Sequence, residues 1–152
     1  MMSEDARAAR SEIEHILRNI CEADGYALGA ILVDVRNDLV VMKYTKPSHV
    51  TNVGPVGEIE MSGGILGRLI PALNDLCSES RLNLGRPVFS IVIADRGTAI
   101  IHIVAKNFVI LCYGVRGMNI SFIAQQLANM HSRLRALIDK AGLSVAAEEW
   151  GL

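Results

Sequence analysis

Pro87 to Tyr113 reads PVFSIVIADRGTAIIHIVAKNFVILCY, three apolar runs separated by two tight turns. Val88 to Ala94, Thr98 to Ala105 and Phe108 to Tyr113 are dominated by Val, Ile, Phe and Tyr, side chains that favour the pleated strand. Asp95-Arg96-Gly97 marks the first turn and Lys106-Asn107 the second, and connections this short join only antiparallel strands. An antiparallel sheet ordinarily shows one polar face to water. Here apolar residues occupy both alternating faces, so both demand cover from helices, loops or another copy of the chain. That demand points to function more strongly than any catalytic motif does.

Two further β-rich runs lie upstream, Leu28 to Asp34 and Leu39 to Tyr44, split by Val35-Arg36-Asn37-Asp38, which predicts a hairpin. Before them Ile13, Ile16, Leu17, Ile20 and Cys21 recur at helical spacing, and Asp24-Gly25 ends that helix. Its start is set either by a capping box at Ser11 and Glu14 or earlier, in the Ala-rich stretch from Ser3. Lys46 to Gly57 holds two prolines and two glycines and reads as a loop. A second helix is expected from about Glu58 to Glu79, with Leu66, Leu69, Ile70, Leu73, Leu76 and Cys77 on its inner face. Gly63, Gly64, Gly67 and Pro71 make it a poor helix by propensity. Either the helix starts late and bends at Pro71, or the missing side chains let another backbone approach, as across a dimer axis. Arg81 to Arg86 leads into the three strands. After them Asn119 is placed to cap a last helix, whose stripe is Ile120, Ile123, Leu127, Met130, Leu134, Leu137 and Ile138, and Gly142 ends it. The order is helix, two strands, helix, three strands, helix.

A chain of 152 residues suits a single domain, here residues 1–142 followed by a tail, 143–152, that carries Glu148, Glu149 and Trp150. Hydrophobic residues make up 51% and charged residues 20%, with a formal net charge of −1. That balance excludes disorder and provides no general attraction to nucleic acid or anionic membrane. So apolar a small chain favours self-association. Cys21, Cys77 and Cys112 sit in apolar periodic segments, odd in number and matching no metal or disulfide spacing. They read as small buried hydrophobes in a reducing compartment. Met1 to Arg10 is polar, with Glu4 and Asp5, unlike a signal or transit peptide, and no apolar run approaches the ~20 residues of a membrane span. A cytoplasmic protein without membrane insertion is expected.

Chemistry-bearing motifs are scarce. Gly54-Pro55-Val56-Gly57 and Gly63-Gly64-Ile65-Leu66-Gly67 lack the lysine and hydroxyl of a phosphate-binding loop. His15, His102 and His131 fall within or beside helical or strand apolar patterns, and His49, in the long loop, has no evident partner. Metal-ligand spacings are missing. Glu58, Glu60, Glu148 and Glu149 suit a helix start and a solvated tail better than an acid–base pair. Arg81, Arg86, Arg96 and Arg116 are dispersed, and only 5% of residues are aromatic, which disfavours stacking on nucleic acid. No catalytic residue, cofactor or metal ligand is expected, and an enzyme is disfavoured.

The layout resembles the roadblock/dynein light chain domain family. The likeness is carried by Leu28-Gly-Ala-Ile-Leu-Val-Asp34 running into a hairpin, by the Gly-rich second helix, and by Gly114-Val115-Arg116-Gly117-Met118-Asn119-Ile120 opening the last helix. It spans about Ser11 to Ala141, while the Lys46 to Gly57 loop and the glycines and Pro71 of the second helix depart from the family pattern. The resemblance implies an α+β fold in the order α-β-β-α-β-β-β-α, a five-stranded antiparallel sheet layered as in profilin and longin domains. The first and last helices would share one face and the second would take the other. It further implies pairing of two copies, or of paralogous chains, through their third strands and second helices, on the order of 1,600 Å². Interface residues would be Val88, Phe89, Ile91, Ile93, Gly63, Gly64, Gly67 and Ile70. The implied role is a non-enzymatic scaffold or regulator of a small Ras-like GTPase. Two alternatives stay open: a small-ligand sensor whose pocket is covered by the loop with His49 and Asn52, or a structural subunit of a motor-associated or other complex, docked through the Trp150 tail.

Overall fold

The structure, a computed structural model, describes residues 3–47 and 62–143, and of Ser62 and Gly63 the backbone alone. His49, Asn52, the glycines at 54 and 57, Glu58 and Glu60, and residues 144–152 with Trp150 therefore lie outside the described residues, while Leu143, expected to open the tail, is buried in the larger core. The elements are α1 (Glu4–Glu22), β1 (Ala27–Asp34), β2 (Leu39–Thr45), α2 (Ser62–Cys77), β3 (Phe89–Ile93), β4 (Gly97–Ala105), β5 (Phe108–Val115) and α3 (Ile120–Lys140). The five strands form one antiparallel sheet in the order β2-β1-β5-β4-β3. This is the α+β order and the sheet that the resemblance implied. Two ends shift. Gly97 opens β4 instead of ending the turn, which closes where the Ala94 N–H donates to the Gly97 carbonyl at 2.9 Å, and β5 runs past Tyr113 to Val115.

Consecutive residues of the central strands are buried on opposite sides, which is why the strands read as apolar throughout. Leu32, Ile100 and Ile110 face α1 and α3, where Ile13, Leu17, Ile123, Leu127, Leu134 and Leu137 complete the larger core. Ile31, Ile101 and Val109 face the other way, against Leu66 and Ile70 of α2. Burying one such side chain contributes about 1.5–3 kcal/mol. α3 buries five side chains and α2 only two among those described, so α2 is the more weakly seated and leaves more apolar surface outward. Leu76, expected on its inner face, is exposed.

Local chemistry sets the ends. α1 begins at the earlier of its two possible starts: Ser3 Oγ accepts the Ala6 N–H at 3.1 Å, with Glu4 and Asp5 in the first turn. Ser11 and Glu14 are interior, and Glu14 pairs loosely with Arg18 at 3.9 Å. Asn119 caps α3 by accepting the Phe122 N–H at 3.0 Å. At the β1–β2 turn, buried Asp34 accepts from the Arg36 N–H at 3.1 Å and the Asn37 amide at 2.7 Å.

The glycines of α2 separate into two cases. A Cβ at Gly67 would stand 2.7 Å from Asp38 Oδ1 and 3.1 Å from the Val35 carbonyl oxygen. The close backbone approach is thus made by the chain's own β1–β2 turn. At Gly64 an added Cβ would meet nothing within 4 Å. Gly67→Val should push α2 off the turn at a cost of about 1–3 kcal/mol, lowering the melting temperature by roughly 3–10 °C. Gly64→Ala should be neutral or stabilising by up to about 1 kcal/mol through helix propensity. Thermal unfolding of both variants at two protein concentrations checks this, because an intrachain clash acts independently of concentration.

Candidate interaction surface

β3 forms one rim of the sheet. Among the described residues it hydrogen-bonds to β4 alone, in a register running from Phe89 opposite His102 to Ile93 opposite Thr98, and the Val88 carbonyl accepts from the Ile103 N–H at 2.8 Å. Its sequence, Phe89-Ser-Ile-Val-Ile93, carries no charge, proline or bulge of the kind that protects an open edge. The register puts Phe89, Ile91 and Ile93 on the α1/α3 side with Ile100 and His102, and Val92 on the α2 side. Neither layer reaches the rim fully. Val88, Ile91 and Val92 are 46%, 45% and 47% exposed, and Ile93 is 75% exposed.

The exposed apolar surface continues through the connection before β3. Ile65 and Leu76 point outward from α2, and Leu82 and Leu84 stand on the turn that follows it. That turn is held by its own backbone. The Asn83 N–H donates to the Ser78 carbonyl at 2.8 Å and the Leu84 N–H to the Cys77 carbonyl at 3.0 Å, with Asn83 in the left-handed region at φ 52°. A fixed turn that presents two leucines to solvent loses little further entropy when it is covered.

Of the residues expected at an interface, Val88, Ile91 and Ile93 lie on this surface, and Gly64 is half-buried beside open space. Phe89 is half-buried, with its ring stacked on the His102 imidazole at 4.6 Å between centroids. Ile70 is 4% exposed and belongs to the chain's own second core, and Gly67 is closed by the β1–β2 turn. Ile70 has no surface to give a partner, while Gly67 stays half-buried. The surroundings of Gly63 lie outside those described. Val92, Ile65, Leu82 and Leu84 were not singled out by their sequence pattern; isolated leucines in a connection carry no periodicity that would mark them.

Behind the edge two histidines meet on the sheet's α1/α3 side. His102 is fully buried, and its Nε2 lies 2.9 Å from Nδ1 of half-buried His131 on α3. Burial pushes the His102 imidazole down to about 4, and the nearby His131 adds to the effect. Elsewhere on this side Arg133 Nη2 spans to both oxygens of Glu12 at 2.8 and 2.6 Å, tying α3 to α1 across an exposed groove. Cys21 and Cys112 are buried, and their thiols hydrogen-bond one another. That contact holds Cys112 above the usual thiol range, with burial adding to it. Among the described residues no three His, Cys, Asp or Glu side chains converge as metal ligands, and no helix is long and apolar enough to cross a membrane.

No protein-family model matches this sequence, and no curated protein does. Solved structures do match it in fold. A structure described as MglB with tetrameric arrangement superposes with a TM-score of 0.71 over 93% of this chain and 95% of its own, at 12% identity. The gliding protein MglB from Thermus thermophilus gives 0.70 over 93% and 96%, at 11% identity. A Roadblock/LC7 domain from Streptomyces avermitilis gives 0.57 over 82% and 96%, at 12% identity. With the element order, the strand order and the two helical layers agreeing with that likeness, the fold of this chain is the roadblock/LC7 fold.

Proposed function

We propose that this protein is a non-enzymatic, cytoplasmic roadblock-type module that pairs with a second copy or a paralogous chain and serves as a scaffold or regulator of a small Ras-like GTPase. The observation that carries the reading is the β3 rim, five uncharged residues with apolar side chains exposed on both sides of the sheet. An edge of this kind left open in water is an aggregation hazard, and antiparallel addition of a second β3 removes it while covering Ile91, Val92 and Ile93 together. The likeness to MglB in a tetrameric arrangement supports self-association, and the likeness to MglC from Myxococcus xanthus (TM-score 0.55, 13% identity) lies in the same group of folds. The GTPase partner comes from the roadblock resemblance, and its docking place would be the α2 side with its outward leucines. Such a module acts by binding one switch-loop conformation better than the other, which shifts populations without chemistry of its own.

Affinity capture from native extract, run in parallel with GDP and with a nonhydrolysable GTP analogue, tests the assignment. A small GTPase retained at least tenfold more with one nucleotide is the expected result. Equal retention with both nucleotides, or no GTPase among the captured proteins, would remove the regulator reading.

A further inference from the structure

His102 and His131 share one hydrogen bond in a place with room for only one arrangement of protons. His102 Nδ1 is buried and has no hydrogen-bond partner. When the pair is neutral, His102 Nε2–H donates to His131 Nδ1, and the unpartnered His102 Nδ1 is a bare lone pair, the less costly kind of orphan. A proton added to His131 makes its Nδ1 a donor. His102 Nε2 must then accept, and its own hydrogen moves to Nδ1, where an N–H points into the core without an acceptor. A proton added to His102 itself puts a charge there as well. Every protonation state except the neutral one penalises the ring against which Phe89 of β3 is stacked.

We propose that the His102–His131 pair is an acid-sensitive latch on the β3 edge, which holds the strand in register when neutral and loosens it when a proton is added. Few other charges oppose this. β3 faces His102 with Phe89 and β5 faces it with Ile110, neither titratable. On α3, His131 is the only group that acts on it electrostatically. Arg133 and Arg135 are exposed, and Arg133 is engaged by Glu12 of α1. The sign follows from burial. His102 in the fold resists its proton to about 4 against an ordinary 6.5, so the unfolded or opened strand binds the proton first. The latch is at full strength above about 6.5 and weakens as the pH falls toward 4. The effect on the edge strand stands alone, and its consequence for pairing rests on the dimer reading above.

Amide hydrogen exchange decides it, read as protection factors for Ser90 to Val92 with Ile31 to Val33 of β1 as the internal reference. Between pH 7.5 and 5.0, β3 protection should fall at least tenfold relative to β1, since each proton taken up permits up to tenfold per pH unit. His102→Phe, which keeps the stack on Phe89 and has no proton to take up, should flatten that dependence. His131→Gln, which keeps an acceptor for His102 Nε2–H, should reduce the dependence without removing it, because the burial of His102 remains. A wild-type β3 whose relative protection does not change, or the same fall in His102→Phe, would overturn the latch. Sedimentation at both pH values reads the consequence: the dimer should weaken at least tenfold in the wild type and stay constant in His102→Phe. Absence of any dimer at pH 7.5 would defeat the pairing reading alone, since the exchange measurement still decides the latch.

Discussion

On the proposed pairing through β3, Ile93→Asp should convert the associated form to monomer and leave the monomer folded. Ile93 is 75% exposed in the isolated chain, so a carboxylate there stays hydrated before association, and surface changes of this kind usually alter stability by no more than about 0.5 kcal/mol. In a sheet continued through two β3 strands the same carboxylate would be pressed against a second copy of the rim with no counter-charge. An unpaired charge desolvated in this way costs several kcal/mol. Even about 3 kcal/mol weakens pairing by more than 100-fold. Sedimentation equilibrium should show the shift in mass, with a urea midpoint close to that of the wild type. Retention of the wild-type mass would place the contact elsewhere. Ile93 is a better probe than Ile91, which is more enclosed, and far better than Ile70, whose replacement by a charge would collapse the second core instead of reporting on assembly.

The sequence was legible wherever burial follows a local period. Ile100 and Ile101 lie side by side and are both apolar because the sheet is covered on two sides, and their neighbours along β4 repeat the pattern. The stripes of α1 and α3 work in the same way at helical spacing, and Asn119 announces its cap by residue type and position. What the sequence concealed depends on registers between distant elements. The α2 glycines read either as a late or bent helix or as room for another backbone, and at Gly67 that backbone belongs to Val35 and Asp38, in a turn about thirty residues earlier. His102 and His131 looked like two separate packed histidines, and only the seating of α3 on β4 brings their ring nitrogens to 2.9 Å. Ile70 and Ile93 are the same residue type in apolar segments, one fully enclosed and the other standing in solvent. Strand order separates them, and order within a sheet is not a local property of the chain.

Asp24 is the clearest case of a residue whose importance is largely long-range. In the sequence it is the helix-ending half of Asp24-Gly25. In the structure it is 7% exposed, and its carboxylate bridges three elements. Oδ1 accepts the Tyr26 N–H at 2.8 Å where β1 begins, and Oδ2 accepts the Asn119 N–H at 2.8 Å, across 95 residues, at the cap of α3. Its backbone carbonyl also receives Lys46 Nζ at 2.7 Å from the end of β2. Asp24→Ala removes both side-chain acceptors and leaves two backbone donors without partners. Hydrogen bonds to a charged group contribute about 1.5–3 kcal/mol each, so the loss should total about 3 kcal/mol or more, a large share of what a domain of this size has in reserve. With a urea slope of about 1.5–2 kcal/mol per molar, the midpoint should fall by about 1.5–2 M with the slope unchanged. Asp24→Asn should recover part of this, because its single carbonyl oxygen can satisfy one of the two donors but not both. If Asp24→Ala instead unfolds at nearly the wild-type midpoint, water has replaced the carboxylate at both amides. The α1–β1–α3 junction would then be held by Leu137, Ile138 and their neighbours in the larger core, with the bridge contributing little.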